Sequence, residues 1–247
     1  RTVECRIEDL GIRFRYELPD DRFRRPYWAR VLRIAMFAED VPALGFQAYA
    51  WIPAAAGTAG AAAEAADGSA SGPALSAGAA ALENEHLRIE FAADGTFTLK
   101  DKHTGMVYAD LCEFEDAGDV GNEYMFREAG GEERITTKNV PAEIRAIRRD
   151  SFAAAVEIVH RLNLPASADE TLQAEREAMV PIWRRQARRS RETGPMTLRT
   201  VVTLEKGARH VKLRVEFENK AKDHRLRVKF PTDIESRVHY ADSVFEI

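Results

Sequence analysis

Residues 87–100, LRIEFAADGTFTLK, carry the pattern that decides the fold. In the first half Leu87, Ile89 and Phe91 alternate with Arg and Glu, and after an Ala-Asp-Gly turn Phe97 and Leu99 alternate with Thr and Lys. A period of two is typical of a half-buried strand. Gly95 supplies the positive φ that a tight turn requires. The segment therefore predicts an antiparallel hairpin.

Strand-like segments lie on both sides of this hairpin. The turn DKHTG at 101–105 leads into a third strand, so a meander begins there. At 211–219 apolar and charged residues alternate, which predicts a half-buried antiparallel strand. Strands at this spacing, without helical patterns between them, predict a large antiparallel all-β sandwich. The other predicted strands are residues 2–7, 12–18, 29–37, 45–51, 106–108, 153–162, 197–204 and 226–230.

A change of composition divides the chain. From Ala54 to Ala81 the sequence is dominated by Ala, Gly, Ser and Pro, with almost no large apolar side chains. Such a stretch buries too little surface to offset the entropy lost on ordering, and its glycines recur too often for a stable helix. We therefore predict a linker or surface loop at 54–81, which separates a first region, 1–53, from a second, 82–247.

Composition excludes several kinds of protein. The 247 residues carry a net charge of −4 at pH 7 and 45% of them are hydrophobic, as in a soluble globular chain that does not bind nucleic acid. No apolar stretch approaches the roughly 20 residues that span a bilayer. Cys5 and Cys112 lack the spacing of a disulfide framework or a structural zinc site. We interpret the basic run Arg184–Arg191 as a solvated surface segment.

Two groups of polar residues are candidates for chemistry. Residues 113–124, EFEDAGDVGNEY, hold the densest set of carboxylates. They could be a paired-carboxylate glycosidase site with the two groups about 5 to 9.5 Å apart, a turn-forming loop, or a loop that touches a ligand without chemistry. The six histidines have neither the HxH nor the HxxxH spacing of metal sites. We expect structural or surface roles for them, including Asp223-His224 and the segment 239–242.

Five motifs occur in an order and spacing that resemble one known family. They are EDVPALGF at 39–46, LENEHLRI at 82–89, GDVGNEYMF at 118–126, NKAKDHRLRVKFP at 219–231 and HYADSVFEI at 239–247. Together they are similar to the carboxyl-terminal region of bacterial glycoside hydrolase family 38 enzymes, the class II α-mannosidases. The apolar pattern that still runs at Ile247 suits a fragment of a larger enzyme.

The resemblance implies an architecture and an activity. Residues 1–53 would end a small β-sandwich, and residues 82–247 would form a large antiparallel supersandwich like that of galactose mutarotases, truncated at its carboxyl end. Family members are retaining α-mannosidases that use zinc and carboxylates from an amino-terminal catalytic domain. The resemblance therefore implies no catalytic and no metal-binding residue in this chain. The chain would complete the active-site wall and be inactive alone.

One substrate-binding residue follows from the same resemblance. In some members a Tyr-x-Phe strand presents a phenol hydroxyl to the bound mannose, and Tyr124-Met125-Phe126 matches that pattern. Tyr124 is therefore the expected sugar contact. The implied partners are a mannoside or oligosaccharide and the enzyme's own amino-terminal domain, in the bacterial cytoplasm, without nucleic acid or membrane. Homo-oligomerisation is left open.

Two other functions stay open at this point. A non-catalytic carbohydrate-binding β-sandwich could stack Trp28, Trp51 or Trp183 on a sugar ring, although we expect at least two of these residues to pack in the core. A self-contained mutarotase-like epimerase would use a Glu base and a His acid. The binding module would bind mannosides by itself, and the epimerase would act by itself.

Overall fold

The computed structural model describes residues 3, 5–20, 22–36, 38, 41–50, 74–75, 80–131 and 134–238. It divides into two units, Arg1–Gly68 and Ser69–Ile247. Most of the predicted linker, the motif at 239–247 and Trp51 lie outside the described residues. The first unit holds a two-stranded hairpin and the second holds the other three sheets.

The first unit is a long antiparallel hairpin of β1 (Cys5–Glu17) and β2 (Arg25–Met36). Its register shifts between Asp9 and Ile12. At this bulge Gly11 has a φ of 75°, and its amide donates to the Asp9 carboxylate at 2.9 Å. The extra residues are thus absorbed without ending the strand.

Two sequence predictions for this unit are wrong. The strands predicted at 2–7 and 12–18 belong to the single strand β1, because the bulge bends the strand and does not end it. The strand predicted at 45–51 is described over residues 45–50 and lies in no strand there. A turn in which the amide of Gly45 donates to Pro42 O at 3.1 Å precedes this segment, and residues 45–50 join none of the described sheets.

The predicted hairpin at 87–100 is confirmed. It forms β5 (Leu87–Phe91) and β6 (Phe97–Asp101), with Ile89 opposite Leu99. Gly95 has the predicted positive φ, 78°. A Cβ at this position would lie 2.6 Å from a buried side-chain atom, so both conformation and space require glycine.

Two antiparallel sheets contribute to one core, which confirms the predicted all-β architecture. The first contains β3 (Ala74–Leu75), β4 (Ala81–Glu83), β5, β6 and β7 (Val107–Leu111) in that order. The second contains β10 (Glu143–Arg149), β11 (Ala153–Pro165), β12 (Thr193–Glu205) and β13 (Lys212–Glu216). Both sheets send side chains into a single buried cluster, which includes Leu82, Ile89, Phe97, Val156, Ile158, Leu198, Val202 and Leu204.

A smaller sheet carries the candidate site. Its central strand is β8 (Glu113–Gly118), flanked by β9 (Ile135–Thr136) and β14 (His224–Lys229). Because β14 pairs antiparallel with β8, the end of β8 lies beside the start of β14. The loop that follows β8 and the loop that precedes β14 therefore meet at one end of this sheet.

A helix that the sequence does not predict lies near this end of the sheet. Helix α1 (Glu170–Glu177) is capped by Asp169, whose carboxylate accepts from Thr171 N at 3.2 Å. Leu172 is its buried residue, so the helix has too short an apolar stripe to produce a visible helical period. In the described part of the chain no helix is long and apolar enough to cross a membrane.

Two expectations about burial are wrong. The strand predicted at 211–219 is β13, which is shorter, and the alternating Leu213 and Val215 are exposed. The period of two marks a strand, but the described residues leave its apolar face uncovered. Trp28 and Trp183 are 70% and 69% exposed, so two of the three tryptophans do not pack in the core of this chain.

Candidate functional site

A polar cleft of about 330 Å³ opens at the end of the sheet where β8 ends and β14 begins. Its walls come from the loop after β8, from α1, from the basic run and from the start of β14. These walls supply carboxylates, guanidinium groups and an imidazole, which are hydrogen-bond acceptors and donors. The lining residues are Asp119, Gly121, Asn122, Glu123, Arg176, Arg185, Asp223 and His224.

One wall is the loop 119–127, here called the Tyr124 loop. Its tip is a turn in which Asn122 N donates to Met125 O at 3.0 Å. The Asn122 side chain accepts from the amides of Tyr124 and Met125 at 3.0 and 2.8 Å. The backbone at Tyr124 is therefore well restrained, while the residue itself is 85% exposed.

The base of the Tyr124 loop is equally restrained. Asp119 Oδ1 accepts from the amides of Gly121 and Arg127 at 2.8 and 3.1 Å. Val120 N donates to Arg127 O at 2.8 Å. A Cβ on Gly121 would lie 1.9 Å from Met125 O. Only glycine lets the two sides of the loop approach this closely.

A buried ionic network adjoins the cleft. Asp116 on β8 is fully buried and forms an ion pair with Arg189, which is also buried. His224 Nδ1 lies 2.5 Å from Asp116 Oδ2, and its Nε2 lies 3.0 Å from Asn219 Oδ1. A buried carboxylate needs such partners to stay charged. The network ties β8 to β14 and to the segment that carries Arg189.

The interpretation of the basic run Arg184–Arg191 as a solvated segment is wrong for two of its residues. Arg189 is buried in the network, and Arg185 Nη1 donates to the carbonyls of Val120 and Gly121, both at 2.7 Å. Burial alternates along the segment from 184 to 189, as in an extended chain with one inward face. The charges are visible in the sequence, but the buried acceptors opposite them are not.

Arg176 and Asp223 form the remaining side of the cleft. Arg176 Nη2 donates to Asp223 Oδ1 at 3.1 Å, and Asp223 Oδ2 accepts from Ala168 N at 3.3 Å. The carbonyl of Asp223 accepts from Asp119 N at 2.8 Å. Asp223 has a φ of 48°, a left-handed conformation that aspartate adopts more readily than most residues other than glycine. Its hydrogen bonds hold this backbone in place beside the Tyr124 loop.

The acidic stretch 113–124 is not a loop throughout. Its first half is the strand β8, and the loop reading applies only to 119–124. Burial alone would raise the pKa of the Glu115 carboxyl, but hydrogen bonds from Arg227 and Lys229 hold that pKa below its usual value. These cations keep the Glu115 carboxylate ionised near neutral pH. The paired-carboxylate interpretation of residues 113–124 stays a prediction.

The buried histidines take part in hydrogen bonds. His160 Nε2 lies 2.8 Å from the carbonyl of Asp94, and His224 belongs to the network at the cleft. Among the residues that the structure describes, no three His, Cys, Asp or Glu side chains converge as metal ligands. His239 lies outside those residues.

Sequence reasoning finds part of this site. The motif at 118–126 and Asp223-His224 are far apart in the chain, and the structure brings them to one cleft. Tyr124 follows the lining residue Glu123, and its sugar contact stays a prediction. Arg176 and Arg185 are missed, because neither lies in a recognisable motif.

Two family models match the chain. The model "Glycosyl hydrolases family 38 C-terminal domain 1" matches residues 1–53, and "Glycosyl hydrolases family 38 C-terminal domain" matches residues 82–247. A Halalkalibacterium halodurans protein with the name "Putative mannosylglycerate hydrolase" is 40% identical over 246 residues, which are 100% of this chain and 27% of that protein.

Two solved structures have the same fold. An alpha-mannosidase from Enterococcus faecalis V583 matches with a TM-score of 0.80 and 32% identity, over 99% of this chain and 26% of its own. A glycosyl hydrolase family 38 protein from Enterococcus faecalis matches with a TM-score of 0.75 and 28% identity, over 99% of this chain and 29% of its own. The chain thus spans little more than a quarter of the length of these relatives.

Proposed function

The chain belongs to glycosyl hydrolase family 38, and on that premise we propose that it is the carboxyl-terminal portion of an α-mannosidase that cleaves α-mannosidic bonds with retention. Support comes from the match to the family's C-terminal domain over residues 82–247 and from the similarity in sequence and fold to an alpha-mannosidase. Because the chain covers 26% of that structure, the proposed catalytic domain would lie in the rest of a longer polypeptide.

The proposed contribution of this chain is one wall of the active site. The observation that carries it is Tyr124, an exposed phenol on a tightly hydrogen-bonded turn beside a polar cleft. An exposed hydroxyl on a restrained backbone can donate to or accept from a sugar hydroxyl at little entropic cost. In this proposal Tyr124 orients the mannose ring while groups elsewhere perform the bond cleavage.

The proposal assigns no zinc chemistry to this chain. The described residues do not fit a zinc site, since they bring together no set of three potential ligands. In the proposed enzyme, zinc would be bound by the amino-terminal domain. The 247-residue chain is accordingly proposed to be inactive alone.

Exposed apolar side chains support a partner for this chain. Phe14 and Trp28 on the β1–β2 hairpin, and Leu213 and Val215 on β13, are exposed. Exposed apolar side chains that lie next to each other within one unit, as the Phe14 and Trp28 rings do at 5.2 Å between centroids, often mark interaction sites. We propose that the amino-terminal part of the same protein covers them, with contact between copies as the alternative. The bacterial cytoplasm is the proposed location.

The decisive experiment is Tyr124→Phe in the longer protein that contains this chain. Loss of one hydrogen bond to the sugar should lower kcat/KM for an aryl α-mannoside by about 10-fold. Mannosylglycerate is the second substrate to test, because the Halalkalibacterium halodurans relative is named for it.

The matched control is Tyr108→Phe, which removes a hydroxyl on β7 that lies 3.7 Å from Met106 Sδ. This variant should keep wild-type kcat/KM. Equal activity of Tyr124→Phe and wild type on both substrates would refute the sugar contact. Hydrolysis by the 247-residue chain alone would refute the proposed division of roles.

A non-catalytic carbohydrate-binding module remains the second candidate, because Trp183 is 69% exposed and lies two residues from Arg185 in the cleft wall. An exposed indole can stack on a pyranose face. Calorimetric titration of the 247-residue chain with mannosides separates the two functions. Saturable binding that Trp183→Ala abolishes would favour the binding module.

A further inference from the structure

The contacts of the half-buried Arg185 differ from those of the buried Arg189 in the same basic run. Arg189 pairs with a carboxylate, whereas Arg185 Nη1 donates to the carbonyls of Val120 and Gly121 at 2.7 Å each. Its Nε is buried and has no hydrogen-bond partner within the described residues. A guanidinium group presents several donors in a rigid plane, which suits it to holding two acceptors at once. Here both acceptors are main-chain atoms of the Tyr124 loop.

The segment that carries Arg185 is itself anchored. The amides of Gln186 and Ala187 donate to the Glu175 carboxylate of α1 at 2.6 and 3.4 Å. Ala187 is buried in a small apolar cluster that also contains Val120 from the Tyr124 loop. The guanidinium group therefore extends from a fixed base. A fixed base is what a side chain needs to restrain the backbone of another segment.

The two carbonyls lie at the narrow point of the loop. The loop's own side chains, Asp119 and Asn122, restrain amide groups. Arg185 restrains carbonyl groups at positions 120 and 121. The hydrogen bonds made by the amides and those accepted by the carbonyls together fix the orientation of consecutive peptide planes that lead to Tyr124. Without the hydrogen bonds from Arg185, the peptide plane at Gly121, three residues before Tyr124, is less restrained.

We infer that Arg185 is a positioning residue that clamps the Tyr124 loop. Its role in the reaction rests on the proposed sugar contact of Tyr124. Arg185 acts through the loop backbone and does not itself touch the sugar. Loss of the clamp should raise KM more than it lowers kcat, because a mobile loop weakens contact with the bound substrate as well as with the transition state.

The test compares Arg185→Met with Arg184→Met in the longer protein. Methionine keeps an unbranched apolar stem and removes all donors, and Arg184 is an exposed neighbour in the same run. Hydrogen–deuterium exchange of peptides covering 119–127 should be about 10-fold faster in Arg185→Met, since two hydrogen bonds are lost. Arg184→Met should exchange as wild type.

With an aryl α-mannoside, kcat/KM should fall about 10-fold in Arg185→Met alone, mainly through KM.

A second variant guards against a general folding defect. Arg185→Lys keeps a cation with three donors and should restore part of the exchange protection. Combining Arg185→Met with Tyr124→Phe should cause little loss beyond that of Tyr124→Phe, because both changes remove the same sugar contact.

The outcomes separate the clamp from the proposed function. Unchanged exchange at 119–127 in Arg185→Met, or faster exchange spread evenly over the chain in both Arg185 variants, would overturn the clamp. Faster exchange confined to the Tyr124 loop, with wild-type activity of Tyr124→Phe, would support the clamp and overturn the sugar contact. Normal exchange in Arg185→Met together with an activity loss in Tyr124→Phe would do the reverse.

Discussion

Strand β8 places two buried carboxylates side by side with opposite surroundings. Glu115 pairs with three cations whose side chains are 36% to 44% exposed. Asp116, the next residue, pairs with Arg189 and His224, whose side chains are 3% and 5% exposed. Neighbouring residues on a strand point to opposite faces, so the same sheet has one open and one closed charged face.

The difference shows why burial of a carboxylate does not by itself set its energetic role. When a partner charge can reach water, loss of the carboxylate leaves a solvated cation, and the cost is small. When the partner is buried, the same loss leaves a charge without compensation in a medium of low polarity. The closed face, which adjoins the cleft, should therefore dominate the stability of this sheet.

The largest effect should come from Asp116→Asn. The change keeps the shape of the side chain but removes the charge that pairs with the buried Arg189, at a cost of about 3 kcal/mol. Urea denaturation of the 247-residue chain, followed by circular dichroism, measures the free energy of unfolding. Replacing the pair together, as Asp116→Leu with Arg189→Met, should recover much of the loss. If the double variant is as unstable as the single one, charge burial is not the cause.

The isosteric change on the open face is Glu115→Gln. Its cationic partners Arg227 and Lys229 can turn to water, so the expected cost is about 1 kcal/mol. The same urea experiment at neutral pH measures it. A cost equal to that of Asp116→Asn would break the distinction between the two faces.

The sequence predicts local structure, such as the hairpin, but not the different surroundings of Glu115 and Asp116. The hairpin at 87–100 follows from a period of two, which is a property of neighbouring residues. The pairing of Asp116 with Arg189 joins residues 73 positions apart, and both look like ordinary members of charged runs. Which of two adjacent carboxylates faces the closed side depends on strand packing, which the sequence does not display.

The candidate site divides in the same way. The segment at 118–126 and the expected role of Tyr124 follow from resemblance to a family. Arg176 reaches the cleft from helix α1, whose buried residue is Leu172. Arg185 reaches it from an extended segment whose sequence has no periodic apolar pattern. Contacts to main-chain carbonyls, such as those of Arg185, leave no mark in a sequence pattern.

A carboxylate between the two extremes is Asp150, in the turn from β10 to β11. Burial alone would raise its pKa, but hydrogen bonds from Arg148 and from the amides of Phe152 and Ala153 lower it to about 2. Because the folded pKa lies below the unfolded one, its contribution is present above about pH 4 and is lost as the pH falls towards 2.

Asp150→Asn should therefore cost about 1 kcal/mol at pH 7, allowing for solvent screening of a partly exposed group. The difference from wild type should shrink between pH 4 and pH 2, provided that both proteins are still folded there. Urea titrations at stepped pH measure this. A difference that stays constant with pH would show that the loss is not ionic.

The smallest effect should come from Arg161→Ala, which removes an ion pair with Glu143 across β10 and β11. Both side chains are well exposed, and Arg161 Nε lies 3.1 Å from Glu143 Oε1. Water solvates both groups once the pair is broken, so the free energy of unfolding should change by less than about 0.5 kcal/mol and the difference should vanish in high salt. A cost as large as that of Glu115→Gln would mean that the exposure of the partner does not determine how much each ion pair stabilises the fold. The two faces of β8 would then differ in stability for some other reason.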